Sequence, residues 1–408
     1  MMRVAFAEAA AGTLFLLLAF GTLTIWIPAR WPLSAVESGA ALLAALLAIR
    51  AALAGRSLET AFVLAPAAAA AVFGLVAAGA GLTVYRHETA GATLYWAAAL
   101  AILFGGLQLF SDPVLRDRFL AAFCWFAVVL AVWAVLSRPT AGGKFLWLAP
   151  TPYSELLGPF QNRNNLAAVL ELALPFGLWR AIRSRRRRWR YAALSALIAG
   201  SIVAAGSRAG TVIALLEIAA VFLIARSRRL IPGRQLAAIA GATAGLFAVI
   251  VAVAGWELLW LRLSTGDLLL YRREILQSTL AMIAERPWTG FGLGTYQTVY
   301  PRYALFDAGQ IVNHAHNDWL EWAAGGGIPF ALVIFSLCVW AARPAFRSVW
   351  GLGILAVFAH ALVDYPMQRP GVAAWVFALL AALAARERNR SATTANGRRP
   401  ANPGAKPA

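Results

Sequence analysis

The segment HAHND, directly before an apolar run, holds the densest cluster of reactive polar side chains in the sequence. It contains His314, His316, Asn317 and Asp318, and Glu321 follows one helical turn after Asp318. An imidazole titrates near neutral pH, so it can take a proton from a hydroxyl group while a nearby carboxylate orients it. Asn317 or Asp318 is equally suited to capping the helix that follows. Zinc would need a clear third ligand beside the two histidines, so we predict no metal site.

Arginines beside apolar runs form a second group of candidates. They are Arg163, Arg208, Arg272 and Arg273. An arginine at such a position is costly unless it pairs or reaches the membrane interface. A guanidinium can bind two phosphate oxygens at once, so four converging arginines would form a diphosphate site. The alternative is that each side chain only extends to the membrane surface.

Four more ionisable residues lie inside or at the end of apolar runs. Glu171 and Glu217 would pair with an arginine or line an internal cavity. His360 and Asp364 are four positions apart and would share one face of a helix. They either support the candidate site or form a plain hydrogen bond at a helix end.

All these residues must be positioned by apolar runs. The runs are about as long as a helix needs to be to cross a bilayer. The chain has 408 residues, 61% of them hydrophobic and 13% charged, whereas a soluble domain has about 25% charged residues. We predict an all-α polytopic membrane protein of about 12 transmembrane helices with one large periplasmic loop. The predicted spans cover roughly 5–27, 33–49, 59–81, 90–110, 119–137, 164–182, 191–206, 209–225, 235–260, 326–342, 348–363 and 371–385.

The net charge of +18 is explained by membrane topology, so we predict no nucleic-acid partner. The basic residues form short clusters between apolar runs, such as the run RSRRRRWR. With the N-terminus inside, roughly two thirds of them lie in cytoplasmic loops, as the positive-inside rule requires. We therefore predict a multi-pass inner-membrane protein with cytoplasmic termini and a periplasmic active site. The apolar start of the chain is expected to be a first membrane helix, not a removed signal peptide.

Three regions follow from this pattern. Residues 1–137 form N-terminal transmembrane helices, residues 138–385 form a membrane core, and residues 386–408 form a disordered cytoplasmic tail. The core includes a periplasmic loop over 261–325, in which the apolar spacing predicts an amphipathic helix over 271–284 along the membrane surface. The string GFGLG in this loop follows no strand and opens no helix of a βαβ unit, so we do not interpret it as a dinucleotide site.

Four segments in order resemble the bacterial O-antigen ligase and polymerase family. They are GPFQNRNNLAAVLELALP, GSRAG, the loop YRREILQSTLAMIAERPWTGFGLGTY with AHNDWLEWAAGGGIP, and HALVDYPMQRP, together covering roughly 158–370. The resemblance implies transfer of a glycan from undecaprenyl diphosphate to an acceptor hydroxyl, without metal or cofactor. The acceptor would be lipid A-core, a growing glycan or a protein, with membrane lipids as the surrounding partners.

The resemblance also implies roles for particular residues. His316, which precedes Asn317, matches the family's histidine, and Arg208 and Arg272 match the arginines that hold the diphosphate. Arg273 is the alternative to Arg272, because Leu276 replaces the family's usual tryptophan four residues after the arginine.

At the ligase-specific position after the glycine-rich turn, Phe330 stands where the ligases have a further glycine. The ligase and polymerase subtypes therefore both stay open.

A membrane transporter of a small solute or of a lipid-linked glycan is the alternative function. Glu171, Glu217 and Arg208 would then line the transport path. A transporter should tolerate loss of His316 better than loss of either glutamate, and an enzyme should show the reverse.

Overall fold

A computed structural model describes residues 2–397, except 255, 257–259, 262–263, 265–269, 306, 308 and 310. The described chain is mainly helical, with one small antiparallel hairpin of β1 (Lys144–Phe145) and β2 (Ala149–Pro150). The helices are α1 (Met2–Leu23), α2 (Trp31–Leu53), α3 (Leu64–Gly79), α4 (Arg86–Phe110), α5 (Pro113–Thr140), α6 (Arg163–Arg183), α7 (Arg188–Ala204), α8 (Arg208–Ser227), α9 (Gly233–Ala254), α10 (Leu270–Glu285), α11 (Tyr296–Val299), α12 (Asp318–Ser348), α13 (Leu352–His360) and α14 (Pro370–Gly397).

Nine of the helices in the described chain are long and apolar enough to cross a membrane. They are α1, α2, α4, α5, α6, α8, α9, α12 and α14. The predicted spans over 59–81, 191–206 and 348–363 overlap the shorter helices α3, α7 and α13, of 16, 17 and 9 residues. Every predicted span thus overlaps a helix, and the all-α polytopic membrane class is confirmed.

Side-chain caps begin three helices that meet at one end of the bundle. Asn162 accepts a hydrogen bond from the backbone N–H of Asn164 at the start of α6. Ser207 caps α8, and Asn317 caps α12 by accepting from the N–H of Leu320. Each cap satisfies a donor that the first helical turn leaves without an intrahelical partner. These three starts bring the segments QNRNN, GSRAG and HAHND together.

Helices α7 and α8 meet at a tight turn. Gly206 has φ +73°, a left-handed conformation that glycine adopts without steric cost. At Gly210, an added Cβ would approach Cβ of Ala167 to 2.6 Å, so α8 packs closely on α6 at this point.

The glycine-rich turn in α12 anchors the outer loop. Gly327 is non-helical, with φ +78°, and an added Cβ there would lie 2.4 Å from the carbonyl oxygen of Trp288. The backbone N–H of Phe291 donates to Ala324, and that of Ile328 donates to Pro287. The loop after α10 therefore lies in the break of α12 and fixes the first turns of that helix.

The predicted amphipathic helix corresponds to α10, but its apolar face is covered by protein. Ile275, Thr279 and Met282 are buried, and the apolar members of this face pack with Phe291 and Tyr296 in a small second core beneath the outer loop. This face is consequently not available to lipid.

The main core is centred on α6 and α14, whose most apolar windows are 89% and 83% buried within the protein. Helix α14 continues through the first part of the predicted disordered tail. Glu387 pairs with Arg347 at 3.1 Å, and the amide of Asn389 donates to the carbonyl oxygen of Ser111. These contacts hold the helix to the bundle beyond residue 386, and the tail after Gly397 lies outside the described residues.

Candidate functional site

A cavity of about 390 Å³ lies at the end of the bundle where α6, α8 and α12 begin. We call it the His316 cavity. It is lined by Gln161, Asn162, Arg163, Asn164, Gly206, Arg208, Ala209, Arg272, His316 and Tyr365. Three of the four arginines that the sequence singled out therefore converge on one histidine. Arg273 is exposed and does not line the cavity, so Arg272 is the arginine of this pair that belongs to the site.

A buried carboxylate holds one nitrogen of the His316 imidazole. Nδ1 of His316 lies 3.4 Å from Oδ1 of Asp364, and the ring stands edge-on to Tyr365. His316 itself has φ +52°, an uncommon conformation for a residue with a side chain, as seen at strained functional positions. A carboxylate at Nδ1 favours the tautomer with the proton on that nitrogen, which leaves Nε2 as a proton acceptor.

Asp364 is the centre of the hydrogen-bond network. Its side chain is only 1% exposed. Oδ1 accepts from the backbone N–H of Tyr365, and Oδ2 accepts from the amide of Asn164 and pairs with Arg272 at 3.5 Å. Together with His316, these partners satisfy a charge that would otherwise be costly to bury.

The surroundings of Asp364 keep its carboxyl group ionised. Burial by itself would raise the pKa of Asp364. The hydrogen bond and charge of His316, with the charges of Arg272 and His360, outweigh burial and lower the pKa from 3.8 to about 2. The carboxylate is therefore negative throughout the neutral pH range.

The arginines and two helix ends make the cavity a site for anions. Arg163 and Arg208 are the first residues of α6 and α8, and the N-terminus of a helix carries partial positive charge. Arg272 donates to the carbonyl oxygen of Val363 at 2.9 Å, while its side chain stays 36% exposed. A diphosphate would therefore meet three guanidinium groups and two helix N-termini.

His314 occupies a different place from His316. Its Nδ1 lies 2.9 Å from Oε1 of Glu321, and its ring stacks on Tyr365 with centroids 4.2 Å apart. The other oxygen of Glu321 accepts from the backbone N–H of Ala315. His314 does not line the His316 cavity, and this arrangement favours a supporting role for it and for Glu321.

Asn317 and Asp318 connect the start of α12 to the segment after α13. The amide of Asn317 donates to the carbonyl oxygen of Leu362 at 2.8 Å. Asp318 is fully buried, and its carboxylate accepts from the backbone N–H of Met367. Both residues thus place Asp364 beside His316, and the capping interpretation holds for Asn317.

His360 pairs with Glu171 rather than with the side chain of Asp364. Its Nδ1 lies 2.9 and 3.1 Å from the two carboxylate oxygens of Glu171, and both side chains are fully buried. Asp364 contacts His360 through the backbone, where its N–H donates to the His360 carbonyl oxygen. Glu217 is also buried, and its carboxylate has no hydrogen-bond partner among the described residues. Among the described residues, neither Glu171 nor Glu217 pairs with an arginine side chain.

Tyr365, Asn162 and Asn164 are site residues that sequence reasoning missed. The amide of Asn162 donates to the hydroxyl oxygen of Tyr365 at 3.2 Å, and Ser207 donates to the Asn164 side chain at 2.8 Å. Burial, followed by the charge of Asp364, raises the pKa of Tyr365, so its hydroxyl stays protonated. The available signal was their adjacency in sequence to Arg163 and Asp364.

Among the described residues, no group of three or more His, Cys, Asp or Glu side chains could hold a metal ion. No curated protein matches the chain. Residues 193–336 match the family model described as O-antigen ligase. The matched stretch includes Arg208, Arg272 and His316, whereas Arg163 lines the cavity from outside it. Asp364, which contacts His316 and Arg272, also lies outside the matched stretch. The resemblance predicted from the sequence motifs is confirmed, and over residues 193–336 the protein is similar to the O-antigen ligase family.

Proposed function

We propose that the protein transfers a glycan from undecaprenyl diphosphate to an acceptor hydroxyl group at the outer face of the inner membrane. One observation carries the proposal. A histidine oriented by a buried carboxylate shares a cavity with Arg163, Arg208 and Arg272. The family match supports glycosyl transfer of the ligase or polymerase type in general.

The arginines would bind the leaving group. As the bond between the sugar C1 and the diphosphate oxygen breaks, negative charge develops on the diphosphate. Arg208 and Arg272, with Arg163 and the N-termini of α6 and α8, would stabilise that charge. Such donors are already in place before the reaction, so little reorganisation is needed.

His316 would accept the proton of the acceptor hydroxyl. Its Nε2 takes this proton as the hydroxyl oxygen forms a bond to C1 of the sugar. Asp364 at Nδ1 would stabilise the imidazolium that results, as an aspartate does for a catalytic histidine in hydrolases. The glycan is thereby moved to the acceptor, and the lipid diphosphate leaves.

The orientation of α6 supports a periplasmic site. The His316 cavity lies at its N-terminal end, and the basic run from Arg183 to Arg190 follows its C-terminal end. A helix of 21 residues spans about 30 Å, the thickness of the hydrocarbon core. Since basic runs stay in the cytoplasm, the cavity would face outward, with both termini inside.

The cavity residues between 161 and 365 fall within the proposed membrane core over 138–385. We propose the N-terminal helices over 1–137 as a separate transmembrane unit packed against this core. The acceptor would be lipid A-core, a growing glycan or a protein.

The test is complementation in a strain that lacks this gene, at matched membrane expression, with surface glycan resolved on a gel. His316→Ala, Arg208→Ala and Arg272→Ala should abolish polymer or its attachment and cause lipid-linked precursor to accumulate. Arg273→Ala is the matched control and should behave as the wild type, because its side chain lies outside the cavity.

Normal glycan from all three cavity variants would refute the proposal. If Glu171→Gln and Glu217→Gln then abolished glycan export, the transporter function would take its place.

A further inference from the structure

The side chain of Tyr365 forms part of the wall of the His316 cavity. Tyr365 is half-buried and lines the cavity together with Asn162, whose amide nitrogen lies 3.2 Å from the Tyr365 hydroxyl oxygen. Both histidines of the HAHND segment hold the ring. His314 stacks on it with centroids 4.2 Å apart, and the ring of His316 stands edge-on at 5.0 Å. The hydroxyl group therefore lies beside the cap of α6, next to the residue that precedes Arg163.

The cap of α6 determines the direction of the hydrogen bond between Asn162 and Tyr365. The side-chain oxygen of Asn162 accepts from the backbone N–H of Asn164 at 2.8 Å. The other end of the Asn162 amide is then its NH2 group, which can only donate. Because this group donates to the hydroxyl oxygen of Tyr365, the hydrogen of the hydroxyl is not used in the bond. Within the described part of the chain, that hydrogen has no acceptor.

The hydroxyl of Tyr365 is a hydrogen-bond donor throughout the neutral pH range. Burial raises its pKa, the charge of Asp364 raises it further, and the bond from Asn162 opposes these effects only in part. The hydrogen can rotate about the C–O bond. It can therefore be directed at an acceptor that enters the cavity, since Asn162 occupies only the oxygen.

The other polar groups of the cavity wall indicate which class of ligand accepts this hydrogen. Three arginines and the N-termini of α6 and α8 present donors and positive charge. The amide of Gln161 already donates to the carbonyl oxygen of Trp26. The side chain of Asn164 is bonded to Asp364 and Ser207. A ligand here must accept from several sides at once, which the oxygens of a diphosphate do and a neutral sugar hydroxyl does not.

We propose that Tyr365 donates its hydroxyl hydrogen to a phosphate oxygen of the donor lipid's diphosphate. This rests on the proposed function, and it adds an uncharged donor to the three arginines of the same site. Asn162 is then a positioning residue, because its amide occupies the hydroxyl oxygen and turns the hydrogen towards the ligand. A hydrogen bond from a hydroxyl to an ionised phosphate is charge-assisted, so it is stronger than a bond between neutral groups.

The test measures the affinity of the full-length protein in detergent micelles for undecaprenyl diphosphate without glycan, by isothermal titration. Tyr365→Phe keeps the ring and removes the hydroxyl. The Kd should rise about tenfold, the effect of losing one hydrogen bond to a charged group. Tyr303→Phe is the matched control, because Tyr303 bonds to Glu285 and does not line the cavity. The Kd of this control should equal that of the wild type.

A ring-fluorinated tyrosine at position 365 separates binding from folding. Fluorine lowers the pKa of the phenol, while the ring and the hydroxyl stay in place. The affinity for undecaprenyl diphosphate, relative to that of the wild type, should fall as the pH rises through this lowered pKa. The reason is that a phenolate cannot donate and repels the phosphate. A tyrosine with only a structural role would show no such pH dependence, and this protein keeps the test valid if Tyr365→Phe fails to fold.

Three outcomes would overturn the inference. The first is an unchanged Kd for Tyr365→Phe while Arg208→Ala binds more weakly, which would leave the proposed function intact. The second is an unchanged Kd with a lower transfer rate, which would assign the hydrogen to the glycan. The third is an affinity of the fluorinated protein that follows the wild type at every pH.

Failure of the proposed function would look different. A wild-type protein that did not bind undecaprenyl diphosphate, or an Arg208→Ala variant that bound it equally well, would refute the diphosphate site itself. The two failures are therefore distinguishable.

Discussion

At the scale of single residues, the contacts of Asp364 explain most about how the candidate site is held together. It joins His316, Arg272 and Asn164, which come from three different segments of the chain. One carboxylate thus fixes the orientation of the proposed base and the position of one arginine. Loss of this carboxylate should therefore disturb both the orientation of His316 and the position of Arg272.

Asp364→Asn should lower the transfer rate by about 100-fold or more, because the amide no longer favours the required tautomer of His316. The pKa of Asp364 is lowered from 3.8 to about 2, so its stabilising charge is fully present above about pH 4. It is lost only as the pH falls towards 2. Titration of Asp364 itself should therefore contribute no change to the wild-type rate between pH 5 and 8 in reconstituted vesicles.

The control for this variant is Asp307→Asn, an exposed carboxylate whose described hydrogen bond is to the nearby Gly309 backbone. A transfer rate for Asp364→Asn equal to that of the wild type would contradict the role of this carboxylate.

The two histidines of the HAHND segment should respond differently to the same change. His316→Gln should lose about 10²- to 10⁴-fold in transfer rate, the usual contribution of a general base. His314→Gln should lose about tenfold or less, since His314 acts through its stacking on Tyr365 and its contact with Glu321. Rates would be measured at equal amounts of folded protein. Equal losses would make His314 a second catalytic residue.

At the scale of elements, the break in α12 determines where the HAHND segment lies. Gly327→Ala should destabilise the protein by about 1–3 kcal/mol, because alanine is strained at φ +78° and its Cβ would meet the Trp288 carbonyl. Transfer activity should fall with it. Thermal unfolding in detergent and the transfer assay measure the two effects.

Gly245→Ala provides the matched control for the glycine prediction. Gly245 lies within α9, where an added Cβ would meet nothing within 4 Å. This substitution should be neutral or stabilising by about 0.5–1 kcal/mol. A Gly327→Ala variant as stable as this control would show that the break in α12 is not needed.

The helices themselves could be predicted because apolar length and capping residues are local features of the sequence. The choice between Arg272 and Arg273 could not, since it depends on the rotation of α10 relative to the bundle. The same holds for the pairs His316–Asp364 and Glu171–His360, which join residues 48 and 189 positions apart. Such contacts are set by how helices pack, so the sequence could name the candidates but not their partners.

At the scale of the whole molecule, the direction of the bundle in the membrane decides which substrates can reach the site. The helices α6, α8 and α12 all begin at the end that holds the His316 cavity. The run RSRRRRWR lies at the other end of α6, and moving so many charges across the membrane is unfavourable. A lipid diphosphate with its glycan outside the cell membrane would then meet the arginines directly.

Cysteine labelling tests this orientation. After Cys124→Ser and Cys338→Ser, a single cysteine would replace either Asp307 in the outer loop or Arg186 in the basic run. A membrane-impermeant maleimide should label Asp307→Cys on intact spheroplasts and Arg186→Cys only after permeabilisation, because the two positions lie on opposite sides of the bilayer. Glu155→Cys, in the segment that precedes α6, should be labelled like Asp307→Cys. The reverse pattern would place the cavity in the cytoplasm and remove the periplasmic glycan from the mechanism, since the arginines would then face the wrong leaflet.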